Sequence, residues 1–264
     1  MESTQNQIEQ IKKYGYTLDF SNVFNHAFEN YKKIALYAGL VLLILFIISF
    51  FVGGIGFVMY FGAEKLNKEF IETFANQQAS STVNLVLYTT GATLVSALFS
   101  PFAAGFLKMA DAADKDESFN VSTLFTYYRP SYFSQIFIAT LLIGLLNALI
   151  SIGFNFLGII FVDKVFTIII SLFTALTIPL IIFGGLNATD AIQSSIAIIS
   201  KQPFIIVLLF IVAGIASMVG FIGCCIGVVF TIPFTYSMTY ALYSAIIITD
   251  NPDSIDSIGK SDFE

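Results

Sequence analysis

Three times along this chain a short amphipathic stretch ends in a basic residue and gives way to a long apolar run with a glycine-spaced bend. A second apolar run holding a proline follows each time. The basic residues are Lys33, Arg129 and Lys201, and the central glycines Gly56, Gly153 and Gly223 follow at offsets of 23, 24 and 22 residues. The prolines are Pro101, Pro179 and Pro233. Recurrence on this scale constrains architecture before any single residue does, because each unit repeats one supersecondary element. From the expected helix caps Ser21, Ser118 and Thr189 to the basic residues the distances are 12, 11 and 12, whereas bend to proline falls from 45 to 26 to 10. The elbow and first run are the constant part; the return is the variable part.

Six apolar runs follow, near 34–61, 83–109, 132–161, 165–187, 203–222 and 228–249. Each reaches the roughly 20 residues that cross about 30 Å of hydrocarbon at 1.5 Å per residue. No charge separates the fifth from the sixth; 47 residues are too many for one span, and the glycines of Gly220–Gly227 supply the turn. Composition points the same way. Of 264 residues 56% are hydrophobic and 11% charged, against about 25% charged in soluble domains, so the chain cannot cover its surface in water. It reads as an all-α integral membrane protein: six transmembrane helices as three parallel repeats of an interfacial amphipathic helix plus a hairpin. The repeats cover about 18–117, 118–186 and 187–250, between a mobile polar tail over 1–17 and an acidic tail over 251–264.

The amphipathic stretches present Phe24, Ala27, Phe28 and Tyr31, then Val121, Leu124, Phe125 and Tyr128, then Ala188, Ile192, Ile196 and Ile199 at helical spacing. They are too short to span and suit the interfacial plane. Pro130 and Pro203 end the second and third, while the first, closing on Lys32-Lys33, can run on into its span. Segment 62–82, with Leu66, Phe70 and Phe74 at steps of four, reads as a helical extension or small amphipathic cap.

One side of the bilayer collects nine Lys and Arg and the other three, which places both termini and all three amphipathic stretches in the cytoplasm. The first apolar run is too long for a cleaved signal peptide. Eleven Lys against one Arg is consistent with an AT-rich genome, and the location expected is a bacterial cytoplasmic (inner) membrane.

For chemistry the chain offers little. There is no nucleophile elbow, phosphate loop or H-E-x-x-H motif, so neither a catalytic residue nor a cofactor or metal is implied. A net charge of −6 argues against nucleic acid. No run carries an ionisable residue in its middle, which weighs against a proton-coupled pump. Cys224 and Cys225, being adjacent, read as small packing residues rather than a disulfide. His26 reads as a solvated surface residue. Asp111, Asp114, Asp116 and Glu117 read as a solvated acidic loop without the spacing of an EF-hand.

Polar stripes run along three spans: Gly144, Asn147, Ser151, Asn155 and Gly158; Thr89, Thr93, Ser96 and Ser100; and Thr235, Thr239 and Tyr243. Small residues of this kind usually serve helix packing. Asn147, Ser151 and Asn155 are the candidates for a polar lining, since two buried amides on one face need partners. Lys33, Arg129 and Lys201 stand at headgroup depth, either anchoring topology or contacting anionic lipid headgroups.

The elbows, together with Gly220–Gly227, Thr231-Ile232-Pro233 and Tyr236…Tyr240…Tyr243, resemble a broad group of bacterial membrane proteins that includes the membrane domain attached to some glycerophosphodiester phosphodiesterases. The likeness covers residues 20–250. In that family catalysis resides in a separate soluble domain, so the resemblance implies a membrane fold and carries over no catalytic residue. The expectation is a non-enzymatic scaffold or accessory protein whose partners are the lipid bilayer, anionic lipids included, and other proteins. The alternative is a transporter or channel for a neutral or weakly charged solute.

Overall fold

A computed structural model describes residues 4–62, 82–223 and 226–247. Among the described residues every regular element is a helix: α1 (Thr4–Tyr14), α2 (Phe20–Phe61), α3 (Thr82–Asp114), the 3-10 helix η1 (Val121–Tyr128), α4 (Pro130–Phe156), α5 (Ile160–Phe173), α6 (Thr177–Ile182), α7 (Ala188–Ile199), α8 (Pro203–Val219), the 3-10 helix η2 (Gly220–Gly223), α9 (Ile226–Thr231) and α10 (Pro233–Ile246). Four stretches are long and apolar enough to cross a membrane: Phe20–Tyr60, Val83–Asp114, Pro130–Phe156 and Val162–Ile182. A fifth arises if α7 and α8, bent by 101° where they meet, are taken together. The segment 62–82 beyond Gly62, the pair Cys224-Cys225 and the acidic tail lie outside the described residues, apart from Thr82 at the start of α3.

The N-terminus corrects one expectation. Rather than a mobile tail over 1–17, residues 4–14 form a helix whose Ile8 and Ile11 are buried and which packs on α7. Two isoleucines at i, i+3 are enough to dock a Gln-rich helix by one edge.

Helix α2 runs unbroken for 42 residues, about 63 Å at 1.5 Å per residue. The first amphipathic stretch is thus the head of a single rod, not a separate interfacial helix. Its cap is Asp19, not Ser21: the carboxylate accepts from the Asn22 amide at 2.7 Å, and an anion at a helix start also meets the dipole favourably. The other two caps shift as well. Asn120 replaces Ser118, forming a reciprocal box with Thr123, and Asn187 replaces Thr189, accepting from the Asp190 amide at 2.9 Å.

The expected glycine bends at Gly56 and Gly153 lie inside α2 and α4. The second turn falls instead at Gly158, whose φ of +72° favours a residue without Cβ. In the third, the chain leaves α8 at Val219 and resumes helix at Ile226. There a Cβ on Gly227 would come within 2.4 Å of the Gly220 carbonyl oxygen, so the two glycines let the return pack backbone to backbone.

The three prolines differ in role. Pro101 sits within α3, and the carbonyl it frees, that of Ala97, accepts from Ser100 Oγ at 2.8 Å. Pro179 lies in α6 and Pro233 opens α10. The gap between α5 and α6 is patched from α7: Ser195 Oγ donates to the Phe173 carbonyl and accepts from the Leu176 amide.

The packed core lies towards one end of the molecule. It gathers Val23, Ala27 and Ile34 of α2, Ala104 to Ala113 of α3, Leu124 and Tyr127 of η1, and most of α10. The other half of α2, from Ile44 to Tyr60, is exposed apolar surface.

Candidate functional site

The densest polar arrangement is where the heads of α2 and the ends of α3 and α10 meet. Asp111 and Asp114 face α10 from the last turn of α3, and the Tyr240 hydroxyl lies between them, 3.3 Å from Asp111 Oδ1 and 3.1 Å from Asp114 Oδ2. Asp111, 4% exposed, also pairs with Lys108 of its own helix at 2.6 Å and with Lys115 just beyond it at 2.7 Å. A buried carboxylate persists only where it is paired and hydrogen-bonded in this way. On the other side Asp114 Oδ1 meets His26 Nε2 at 2.6 Å. His26 is therefore a cross-helix fastener rather than a solvated residue, and of the acidic loop Asp111 and Asp114 belong to the end of α3 while Asp116 and Glu117 follow it.

One turn deeper, Asn30 is buried, donating from Nδ2 to the Ala110 carbonyl at 2.7 Å and accepting from Ser237 Oγ at 2.9 Å. Phe106 stacks on Tyr236 at 5.0 Å beside it. Tyr127 of η1 is buried against this end, and burial followed by the nearby charge of Asp111 pushes its phenol well above the usual range. The arrangement ties three helices together. Asp111 and Asp114 are engaged by two lysines, a histidine and a tyrosine. Among the described residues no group of three or more His, Cys, Asp or Glu is placed to hold a metal ion. A polar cavity of about 590 Å³, lined by Asp19, Asn22 and His26 of α2 and Ala245 of α10, opens beside it.

The three basic residues separate. Lys33 Nζ donates to Asp116 at 2.5 Å and to the Ala113 carbonyl at 2.9 Å, binding α2 to the end of α3. Arg129 and Lys201 have exposed side chains. Arg129 caps α4 directly before Pro130, and Lys201 lies in the α7–α8 bend before Pro203.

In that bend the neighbouring Gln202 grips the N-terminal arm. Its Oε1 accepts from the Leu18 amide at 3.3 Å and its Nε2 donates to the Tyr16 carbonyl. The Tyr16 hydroxyl returns the contact, donating to the Ile198 carbonyl at 3.0 Å; burial raises its pKa, so it stays a donor.

The polar stripe of α4 faces α3. A Cβ on Gly144 would lie 2.5 Å from Thr93 Cγ2, so helix contact claims its upper part. Asn147 Oδ1 is buried without a hydrogen-bond partner, and Ser151 and Asn155 are half-buried. The stripe on α10 is likewise used in packing: Thr235 meets Ser217 of α8 at 3.2 Å, and Tyr243 is fully buried.

No family model, curated protein or solved structure matches the chain.

Proposed function

We propose that this chain is a non-enzymatic integral membrane protein, a scaffold or accessory protein working through anionic lipid at its cytoplasmic face. In this reading it crosses a bacterial inner membrane six times as three parallel repeats, with both termini cytoplasmic. The spans are α2, α3, α4, α5 with α6, α8, and α9 with α10, the last pair interrupted only at Ile232. Supporting it, α1, the head of α2, the end of α3, the α7–α8 bend and the end of α10 gather at one end. That end carries Lys12, Lys13, Lys32, Lys33, Lys108 and Lys115 as well as Lys201, the excess expected on a cytoplasmic side.

The observation that carries the lipid role is the exposure of Arg129 and Lys201, each just ahead of the proline that opens an apolar helix. An exposed cation at headgroup depth beside the start of an apolar helix suits a phosphate. Contact between Gly144 and Thr93 favours this reading over a transporter, since it spends part of the polar stripe on packing. The test is retention of phosphatidylglycerol by purified protein, read by native mass spectrometry. Arg129→Ala with Lys201→Ala should lower it about fivefold per residue; unchanged retention would refute the lipid role.

A further inference from the structure

Helix α7 separates two concavities of opposite character. Beneath it an apolar groove of about 410 Å³ runs between α4 and α5, walled by Leu142, Leu146, Ile169 and Phe173 and roofed by Ile192 and Ile196. The hydroxyls at its edge are already spent: Thr174 Oγ1 donates to the Ile170 carbonyl and Thr189 Oγ1 to Asn187. Above, between α7 and α1, is a polar pocket of about 260 Å³ that holds Glu9, Lys12, Asp190 and Ser194. Gln193 lines both.

We infer that the two concavities form one binding site for a phospholipid with an ammonium-bearing zwitterionic headgroup. An acyl chain fills the apolar groove, Gln193 meets the ester carbonyls, and the polar pocket takes the headgroup. The inference rests on the bilayer-spanning reading above. Two observations select the occupant beyond mere apolarity. First, the groove ends in polarity at one place, Gln193, whose amide makes no hydrogen bond among the described residues; the ester region is where a lipid presents acceptors. Second, the pocket carries Lys12 against Glu9 and Asp190, the latter accepting from Asn187 Nδ2 at 2.8 Å through Oδ2 and keeping Oδ1 for a ligand. One cation and two anions match a phosphate followed by an ammonium, and disfavour a headgroup with phosphate alone. Ser194, 4% exposed yet without a hydrogen bond among the described residues, adds a donor or acceptor in the pocket. The 101° bend after α7 lays this helix across the span ends, so groove and pocket sit on the hydrocarbon and headgroup sides of one helix.

The probes are dioleoyl phosphatidylethanolamine and dioleoyl phosphatidylglycerol in equal amounts, with the full chain and native mass spectrometry of retained lipid. The wild type should hold one phosphatidylethanolamine in preference. Ile169→Trp, which fills the groove, should abolish that retention. Glu9→Lys, an exposed change that leaves the groove intact, should lower the ethanolamine-to-glycerol ratio about fivefold and keeps the test decisive should Ile169→Trp fail to fold. Arg129→Ala with Lys201→Ala should lower retained phosphatidylglycerol yet leave the one bound phosphatidylethanolamine in place, so the elbow role and the groove site fail separately. Equal retention of both lipids by the Arg129→Ala, Lys201→Ala variant, or a ratio unmoved when Glu9→Lys is added to it, would overturn the assignment.

Discussion

Asn30 and Ser237, 207 positions apart, share a hydrogen bond of 2.9 Å inside the core. The same Asn30 amide holds the Ala110 carbonyl, so one side chain joins α2, α3 and α10. Asn30→Ala should cost about 1–3 kcal/mol, because it leaves a buried hydroxyl without its partner. Ser237→Ala should cost less, and the double variant should be clearly non-additive. Thermal unfolding followed by circular dichroism in detergent measures all three; strict additivity would mean that the two residues act independently.

Glycine matters in α3 at one position and not at another. A Cβ on Gly105 would lie 2.4 Å from Leu124 Cα and 2.6 Å from its carbonyl oxygen, whereas one on Gly91 meets nothing within 4 Å. Gly105→Ala should therefore prise η1 from α3 and cost at least about 3 kcal/mol, at the severe end for a point change. Gly91→Ala should be neutral or stabilise by up to about 1 kcal/mol, since only helix propensity changes. Comparable melting temperatures for the two variants would contradict this contact.

The Tyr240 hydroxyl and the Lys33 ammonium both meet acids of α3, in different surroundings. Tyr240→Phe removes hydrogen bonds to two carboxylates, one of them buried, and should cost about 1.5–3 kcal/mol. The Lys33–Asp116 pair is exposed, with side chains 46% and 81% accessible, and Lys33→Ala should cost under about 1 kcal/mol. Because Lys33 is already engaged, that variant should also retain phosphatidylglycerol as the wild type does.

Gln202 offers a local test. Gln202→Ala should free the arm without melting the bundle, so the Leu18 amide should exchange with solvent much faster while the amides of α10 keep their protection. Hydrogen exchange with mass spectrometry reads both regions, and equal acceleration everywhere would point to global destabilisation instead.

Helical character and apolar runs were legible in the sequence because bilayer crossing demands length and hydropathy, which composition alone reveals. The inward faces were not. Each amphipathic stretch offers one apolar face at helical spacing, but that face divides: Phe28, Phe125 and Ile196 are exposed while Ala27 and Leu124 are buried, and Asn30, Ser194 and Ser195, which lie outside those faces, are buried too. In water the apolar stripe turns inward. Where hydrocarbon is the surroundings the bulky side can stay outside, and small or hydrogen-bonded residues let backbones approach. The same inversion hid Asn30, a lone amide in a polar-looking turn. His26 and Asp114 were misread for a different reason: they are 88 positions apart, and nothing local announces a pair that only helix packing brings together. The 3-10 geometry of η1 was equally invisible, and it is what places Leu124 and Tyr127, three apart, on the buried side.

The grip of Gln202 on the Tyr16–Leu18 backbone also sets an order of events during biosynthesis. The arm's partner is made 184 residues after Leu18. At a synthesis rate of about 5–20 residues per second, the arm waits on the order of 10–40 s before its dock exists. Throughout that interval Ile8 and Ile11, later covered by α7, remain uncovered. Closure of the arm therefore becomes possible once the α7–α8 bend is made, before the last hairpin follows it.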